Sequence, residues 1–400
     1  MAVVAITLTG CGHGGSGGRV VLRVPSEYRT IQTAVDRAKP GELVLIAPGV
    51  YRETVTSHVP NLVIRGLDRN AVILDGGDRL ANGITLAANG DAVENLTVRH
   101  FAVNGVLFTL LDGYGSGPVL RGYRASYVTA YDNGLYGLYA FAAVNGLFDH
   151  DDASGHPDSG IYVGQCRPCD AVVQDSSAES NRVGFEAANA SGGLSVIRSR
   201  FSSNRAGVVV ETSSTERLMP QVGAVVAGNV VSTNNNSITP TTSEGSDVFG
   251  YGISIGGGSD DQVVRNRVEG NVSVGIIVTD EVGQSPKNNF ISGNIVSANH
   301  TDLAYIGSGS GSVPTDGNCF SGNTFATSAP AQIEAVMRCG RSGTVESSFV
   351  GHPGPPGVEY MTISAPPPQP GMRAADSATS LPANREPPAA NISNVAVPPP

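Results

Sequence analysis

Short apolar runs interrupted by glycine and asparagine recur along most of this chain. Gly-Ile-Thr-Leu (83–86), Gly-Val-Leu-Phe (105–108), Gly-Leu-Tyr-Ala (137–140) and Gly-Ile-Tyr-Val (160–163) open the series. Gly-Phe-Glu-Ala (184–187), Gly-Val-Val-Val (207–210), Gly-Ile-Ser-Ile (252–255) and Gly-Ile-Ile-Val (275–278) continue it. Successive starts lie 22, 32, 23, 24, 23, 45 and 23 residues apart. The 45 reads as two turns, and the 32 as one turn plus an insertion over 112–117. Asn104, Asn133, Asn181, Asn204 and Asn271 stand just before the glycine of a phrase, and apolar pairs such as Val196-Ile197 and Val263-Val264 precede further asparagines.

A period near 23 built from four-residue strands and Gly/Asn corners predicts a right-handed parallel β-helix of ten to twelve coils over 25–345. Stacking lets each coil bury an inner face that it cannot bury alone. Asparagine tolerates the left-handed backbone of a corner, and its amide can bond to the next coil. Tyr28–Ala38 places Ile31, Ala34, Val35 and Ala38 on one helical face and predicts a short helix capping the first coil. Such a cap blocks edge-to-edge association, so a monomer is expected. Thirteen of the 25 prolines fall in 351–400, and 346–400 reads as a disordered or polyproline tail.

Composition narrows the functional classes. The net charge is −10, and of 25 basic residues only Lys39 and Lys287 are lysines, in an acidic chain without a basic block. A nucleic-acid partner is therefore not expected. Residues 1–24 read as an export segment: Leu8-Thr9-Gly10-Cys11 resembles a bacterial lipobox, with Cys11 as the lipidated residue and Gly12–Gly18 as a tether. That places the protein outside the cell membrane, held by the lipid alone, or secreted. Cys166-x-x-Cys169 and the pair Cys319 and Cys339 fit two disulfides in an oxidising compartment, with zinc or free thiols as the alternatives.

The segment TIQTAVDRAKPGELVLIAPGVYRE (30–53) together with the repeats resembles the pectin-lyase-like superfamily of right-handed β-helix proteins. The opening is also similar to pectin methylesterases and to the periplasmic NosD protein of copper-site maturation. This resemblance covers about 25–345 and implies the fold. The same fold carries lyases, esterases, epimerases and binding proteins, so it implies no single activity.

Candidate chemistry concentrates in 149–166. Asp149, His150, Asp152, His156 and Asp158 lie within ten residues and offer an acid–base set, or hard ligands for calcium. In the repeat register Tyr139, Tyr162 and Glu186 share one position of three successive coils, with Glu211 two positions along its own strand. If outward, they make a sugar platform that Arg167 and Arg182 adjoin. Asp260-Asp261 is a weaker candidate. The function expected is binding or lyase- or epimerase-like action on an extracellular polysaccharide, and the second reading is a non-catalytic envelope scaffold.

Overall fold

A computed structural model describes residues 20–110, 118–242, 248–307, 311–377 and 392–400. Cys11, the tether and the insertion at 112–117 lie outside the described residues. The chain winds as a right-handed parallel β-solenoid of about twelve turns. Each full turn gives one strand to each of three parallel sheets, here called A, B and C in chain order. Sheet A has twelve strands from Val21–Val24 to Cys319–Ser321, sheet B ten from Gly49–Tyr51 to Ile295–Ser297, and sheet C eleven from Val55–Ser57 to Ser328–Ala329. A typical turn runs Val172–Gln174 (A), Ser177–Glu179 (B), Val183–Ala190 (C).

All eight glycine-led phrases fall in sheet C, stacked in register. The 45-residue interval is one turn and not two: Ala206–Glu211 pairs directly with Tyr251–Gly256. The additional residues leave at the corners, in the C-to-A loop 212–223 and the B-to-C loop 233–250. A long loop and a missing coil give the same interval, which is why spacing alone could not separate them.

Buried amides join the coils at the corners. Between sheets B and C, Asn181 Nδ2 donates to Asn204 Oδ1 (3.0 Å), Asn204 to Asn234 (3.0 Å), Asn234 to Asn271 (3.2 Å) and Asn271 to Asn299 (2.8 Å). A second ladder, Asn229–Asn266–Asn294–Asn323, lines the A–B corner. A third links Asp261, Asn289 and Asn318. Each satisfies polar groups that water cannot reach. Asn104 stands apart from these ladders: it lies within a sheet C strand and bonds to Asn82 (2.9 Å).

The repeated glycine follows from the first ladder. A Cβ on Gly184 would stand 2.7 Å from the Gly207 carbonyl oxygen and 2.9 Å from Asn204 Nδ2. On Gly160 it would meet Asn181 Nδ2 at 2.8 Å. Glycine and asparagine columns thus interlock, and the phrases after each glycine carry the inward Ile, Val, Leu and Phe of one continuous core.

Both ends of that core are covered. Helix α1 (Ile31–Arg37) buries Ile31, Ala34 and Val35 over the first coils, and the Glu53 carboxylate accepts from the Ile31 and Gln32 amides at its start. At the far end the short helix α2 (Ile333–Val336) buries Ile333, with Met337 beside it. Cys166–Cys169 and Cys319–Cys339 are disulfides with Cα separations of 4.8 Å each. No described residue beyond Ser347 is in a strand, as the proline content implies, yet the described parts of that tail lie against the coils.

Candidate functional site

The outer face of sheet C gathers the densest chemistry. Leu138, Ala140, Ile161, Val163, Phe185 and Ala187 point into the core, so the alternation of a strand turns Tyr139, Tyr162 and Glu186 outward. The register joins Tyr139 to Tyr162 and Tyr162 to Glu186, as the repeat spacing implied. Tyr136 enlarges the platform. Its ring stacks on Tyr139 with centroids 4.2 Å apart, and Tyr162 meets both rings at 5.0 and 5.1 Å.

Carboxyl groups surround these rings. Arg182 reaches Asp158 at 3.4 Å and Glu186 at 3.9 Å. Ser159 Oγ donates to Glu186, and the Tyr162 hydroxyl donates to Glu216. Burial, with Asp158 and Glu211 close by, holds the Glu186 carboxyl well above the carboxylate range. Burial, then the Glu281 charge, raises Glu211 to about 7. Burial likewise raises Glu216 to about 7 against its hydrogen bonds from Tyr162 and the Gln165 amide. Asp158 and Glu186 thus meet the Arg182 guanidinium, and Glu211, Glu216 and Glu281 add further carboxyls beside them. Burial therefore favours the protonated forms of Glu186, Glu211, Glu216 and Glu281.

Glu216 arrives on the 212–223 loop, which the end of the Ser159–Cys166 strand holds in place. The Gln165 amide donates to Glu216 Oε2 (3.1 Å), and Gln165 Oε1 accepts from the Arg217 and Leu218 amides (2.9 and 3.0 Å). Arg167 bonds to the Leu218 and Pro220 carbonyls and to Ser191 Oγ, so it anchors this loop and does not face the rings. Sequence reasoning missed Tyr136, Glu216 and Glu281. Glu216 and Glu281 lie on loops without periodicity.

The segment 149–158 is not one site. It spans a corner, a strand and a second corner, so its side chains part onto different faces. Asp149 and His150 sit at the A–B corner, 3.0 Å from each other, where Gln174 bonds to Asp149 (2.9 Å) and His150 stacks on Tyr127 at 4.7 Å. Asp152 is buried in sheet B, where it accepts from Ser177 Oγ. His156 is fully buried in the B–C ladder. Asn133 Nδ2 faces its Nε2 at 3.1 Å, and its Nδ1 faces Asn181 Oδ1 at 2.8 Å. An acceptor Nε2 and a donor Nδ1 require the neutral ring, and burial lowers its pKa to about 4. Of the five, only Asp158 joins the groove. Asp261 is likewise buried, bonded to Gln221 and to the Ala224 amide.

Asp149, His150 and Asp175 have ligand atoms within 4.8 Å of one another. Asp175 is already paired with Arg198 at 2.7 Å, and one imidazole beside two carboxylates is not a calcium shell.

Comparison with solved structures finds proteins of like shape. The mannuronan C-5 epimerase AlgE6 A-module of Azotobacter vinelandii is 14% identical, with 84% of this chain and 94% of that one covered and a TM-score of 0.49. An alginate lyase of Paenibacillus sp. str. FPU-7 is 14% identical over 70% and 95%, with a TM-score of 0.45. The Dettilon tailspike protein is 12% identical over 78% and 69%, with a TM-score of 0.49. At these identities and scores no residue role or activity carries over. No curated protein matches the chain. Residues 127–335, just over half of the chain and including every residue named on this face, match the family described as periplasmic copper-binding protein (NosD). The repeats, the corner ladders and this match together make the chain a member of the NosD family of parallel β-helix proteins.

Proposed function

We propose that the outer face of sheet C, from Tyr136 to Glu281, binds a polysaccharide and acts on it by acid–base chemistry. One observation carries this reading: aromatic rings and proton-bearing carboxyls meet on one outer face, with Arg182 between them. Tyr139 is the half-buried ring of the three, backed by the buried Tyr136 and Tyr162, and its face can pack against the C–H face of a sugar. Glu211 and Glu216, with pKa values near 7, are each divided between acid and base forms at neutral pH, and burial pushes the Glu186 carboxyl well above the ordinary carboxylate range. A proton donor and a proton acceptor are thus present together.

The family description names copper, and the donor set argues against reading this groove that way. Among the described residues the four cysteines are in disulfides, His156 is held by the ladder, and the one three-donor group has a carboxylate tied to Arg198. Copper favours imidazole and thiolate or thioether donors.

Purified protein is tested for binding and turnover on a polyuronate, a neutral glucan and a hexosamine polymer, with unsaturated products read by absorbance. Tyr139→Ala is expected to weaken binding tenfold or more, and Glu186→Gln to keep binding and lose turnover. Binding without turnover on every polymer would leave the scaffold reading, and no binding at all would end the proposal. The two disulfides and the match to a periplasmic family support export to an oxidising compartment. We further infer that Cys11 carries a lipid anchor. Cys11→Ser should release the protein from membranes, and a wild type already free in solution would refute that.

A further inference from the structure

The tail from Phe349 to Ser377 runs back along the solenoid, and arginine and asparagine side chains meet its main chain at intervals. Phe349 packs edge-on against Tyr251, and the His352 amide donates to Ser273 Oγ (2.7 Å). Arg205 donates to the Pro355 carbonyl (2.7 Å), and the Val358 amide donates to the Thr239 carbonyl (3.1 Å). The tail follows the B–C corner past Gly155 and crosses to the A–B corner. There Asn70 both accepts from the Gln369 amide and donates to its carbonyl, each at 2.9 Å. Arg69 donates to the Pro370 carbonyl (2.9 Å), the Met372 amide to Asn95 Oδ1 (2.7 Å), and Arg65 to the Ser377 carbonyl (2.8 Å). Two more arginines treat the end of the chain alike: Arg265 donates to the Ile392 carbonyl and Arg267 to that of Pro398 (2.9 Å).

Five guanidiniums thus address main-chain carbonyls of one proline-rich tail, extended but for a 3-10 turn at Tyr360–Thr362 and a turn at 373–376. The chemistry matches: proline has a carbonyl and no N–H, so such a chain cannot extend a sheet edge and offers mainly acceptors. Arginine is a donor only. Because the polar contacts read main-chain groups, they select a proline-rich backbone whose carbonyls meet the arginines and which keeps its N–H at 352, 358, 369 and 372. Reach agrees as well. Seven steps between coils need about 34 Å, and the 17 residues from 352 to 369 span about 53 Å as polyproline.

We propose that this track is a receptor for an extended proline-rich polypeptide, filled in this protein by its own residues 349–377. Phe349 packs beside Tyr251 at the edge of sheet C, and the rest of the segment lies away from the Tyr139 and Glu186 side chains. The test uses the full chain and reads amide hydrogen exchange at Val358, Gln369 and Met372. The unmodified protein should protect these amides at least a hundredfold over a free peptide. Arg205→Gln should raise exchange at Val358, and replacement of the exposed Asn70 (Asn70→Ala) should raise it at Met372, each tenfold or more, with sheet C peptides unchanged. A synthetic peptide of residues 351–377 at several millimolar, comparable to the effective concentration of a tethered segment, should speed exchange of all three. Exchange at the free-peptide rate in the unmodified protein would overturn the proposal. So would a competitor peptide that leaves the three amides untouched.

Discussion

Replacing His156 by Asn should remove one pH-dependent term from the stability of the solenoid. His156 holds a place that asparagine fills in the neighbouring coils, and its two ring nitrogens are matched only when the ring is neutral. Its folded pKa is about 4, against 6.5 for an unperturbed histidine. With the folded value depressed, the unfolded chain binds the proton first on acidification. Stability is whole above pH 6.5, declines between 6.5 and 4, and is level again below. A gap of 2.5 pH units at 1.36 kcal/mol each is about 3 kcal/mol. Urea unfolding of wild type and His156→Asn at half-unit steps from pH 7.5 to 3.5 isolates this term, because the buried acids of both proteins cancel in the difference. The variant should gain about 3 kcal/mol on the wild type across the window, whatever constant offset its smaller side chain adds. Parallel stability curves would refute the neutral, ladder-bound ring.

Three shorter expectations accompany it. Gly184→Ala drives a methyl group into the Gly207 carbonyl and the Asn204 amide, and should cost about 3 kcal/mol in thermal or urea unfolding. Asp261, raised by burial to about 7, and Gln221 each keep one buried oxygen without a partner, and both oxygens lie within 2.5 Å of where a Cβ on Gly258 would stand. With the folded pKa raised, stability should fall as pH rises from about 4 to about 7 and level off above, and Asp261→Asn should remove that fall of about 4 kcal/mol between pH 3.5 and 7.5. Opening Cys319–Cys339 by double replacement with serine should cost about 3 kcal/mol from its 20-residue separation, whereas Cys166–Cys169, three residues apart, should matter far less to the unfolded chain's entropy.

The sequence by itself determined the solenoid, because the repeat is local: each 23-residue coil shows its glycine, its asparagine and its inward apolar residues, and register follows once coils stack. It also determined that Tyr139, Tyr162 and Glu186 share a column, since equal spacing on equal coils leaves them no other place. The tertiary structure alone decided which acids meet that column. Asp149 to Asp158 are neighbours in the chain, yet the triangular coil turns them onto three surfaces, and only Asp158 faces the rings. Glu216 and Glu281 come from loops whose length follows no period. His156 looked like chemistry because histidine titrates near neutrality, and a buried corner between two amides makes it a stand-in for asparagine. Periodicity reports what every coil must do to stack, whereas a site is built where single coils depart from it.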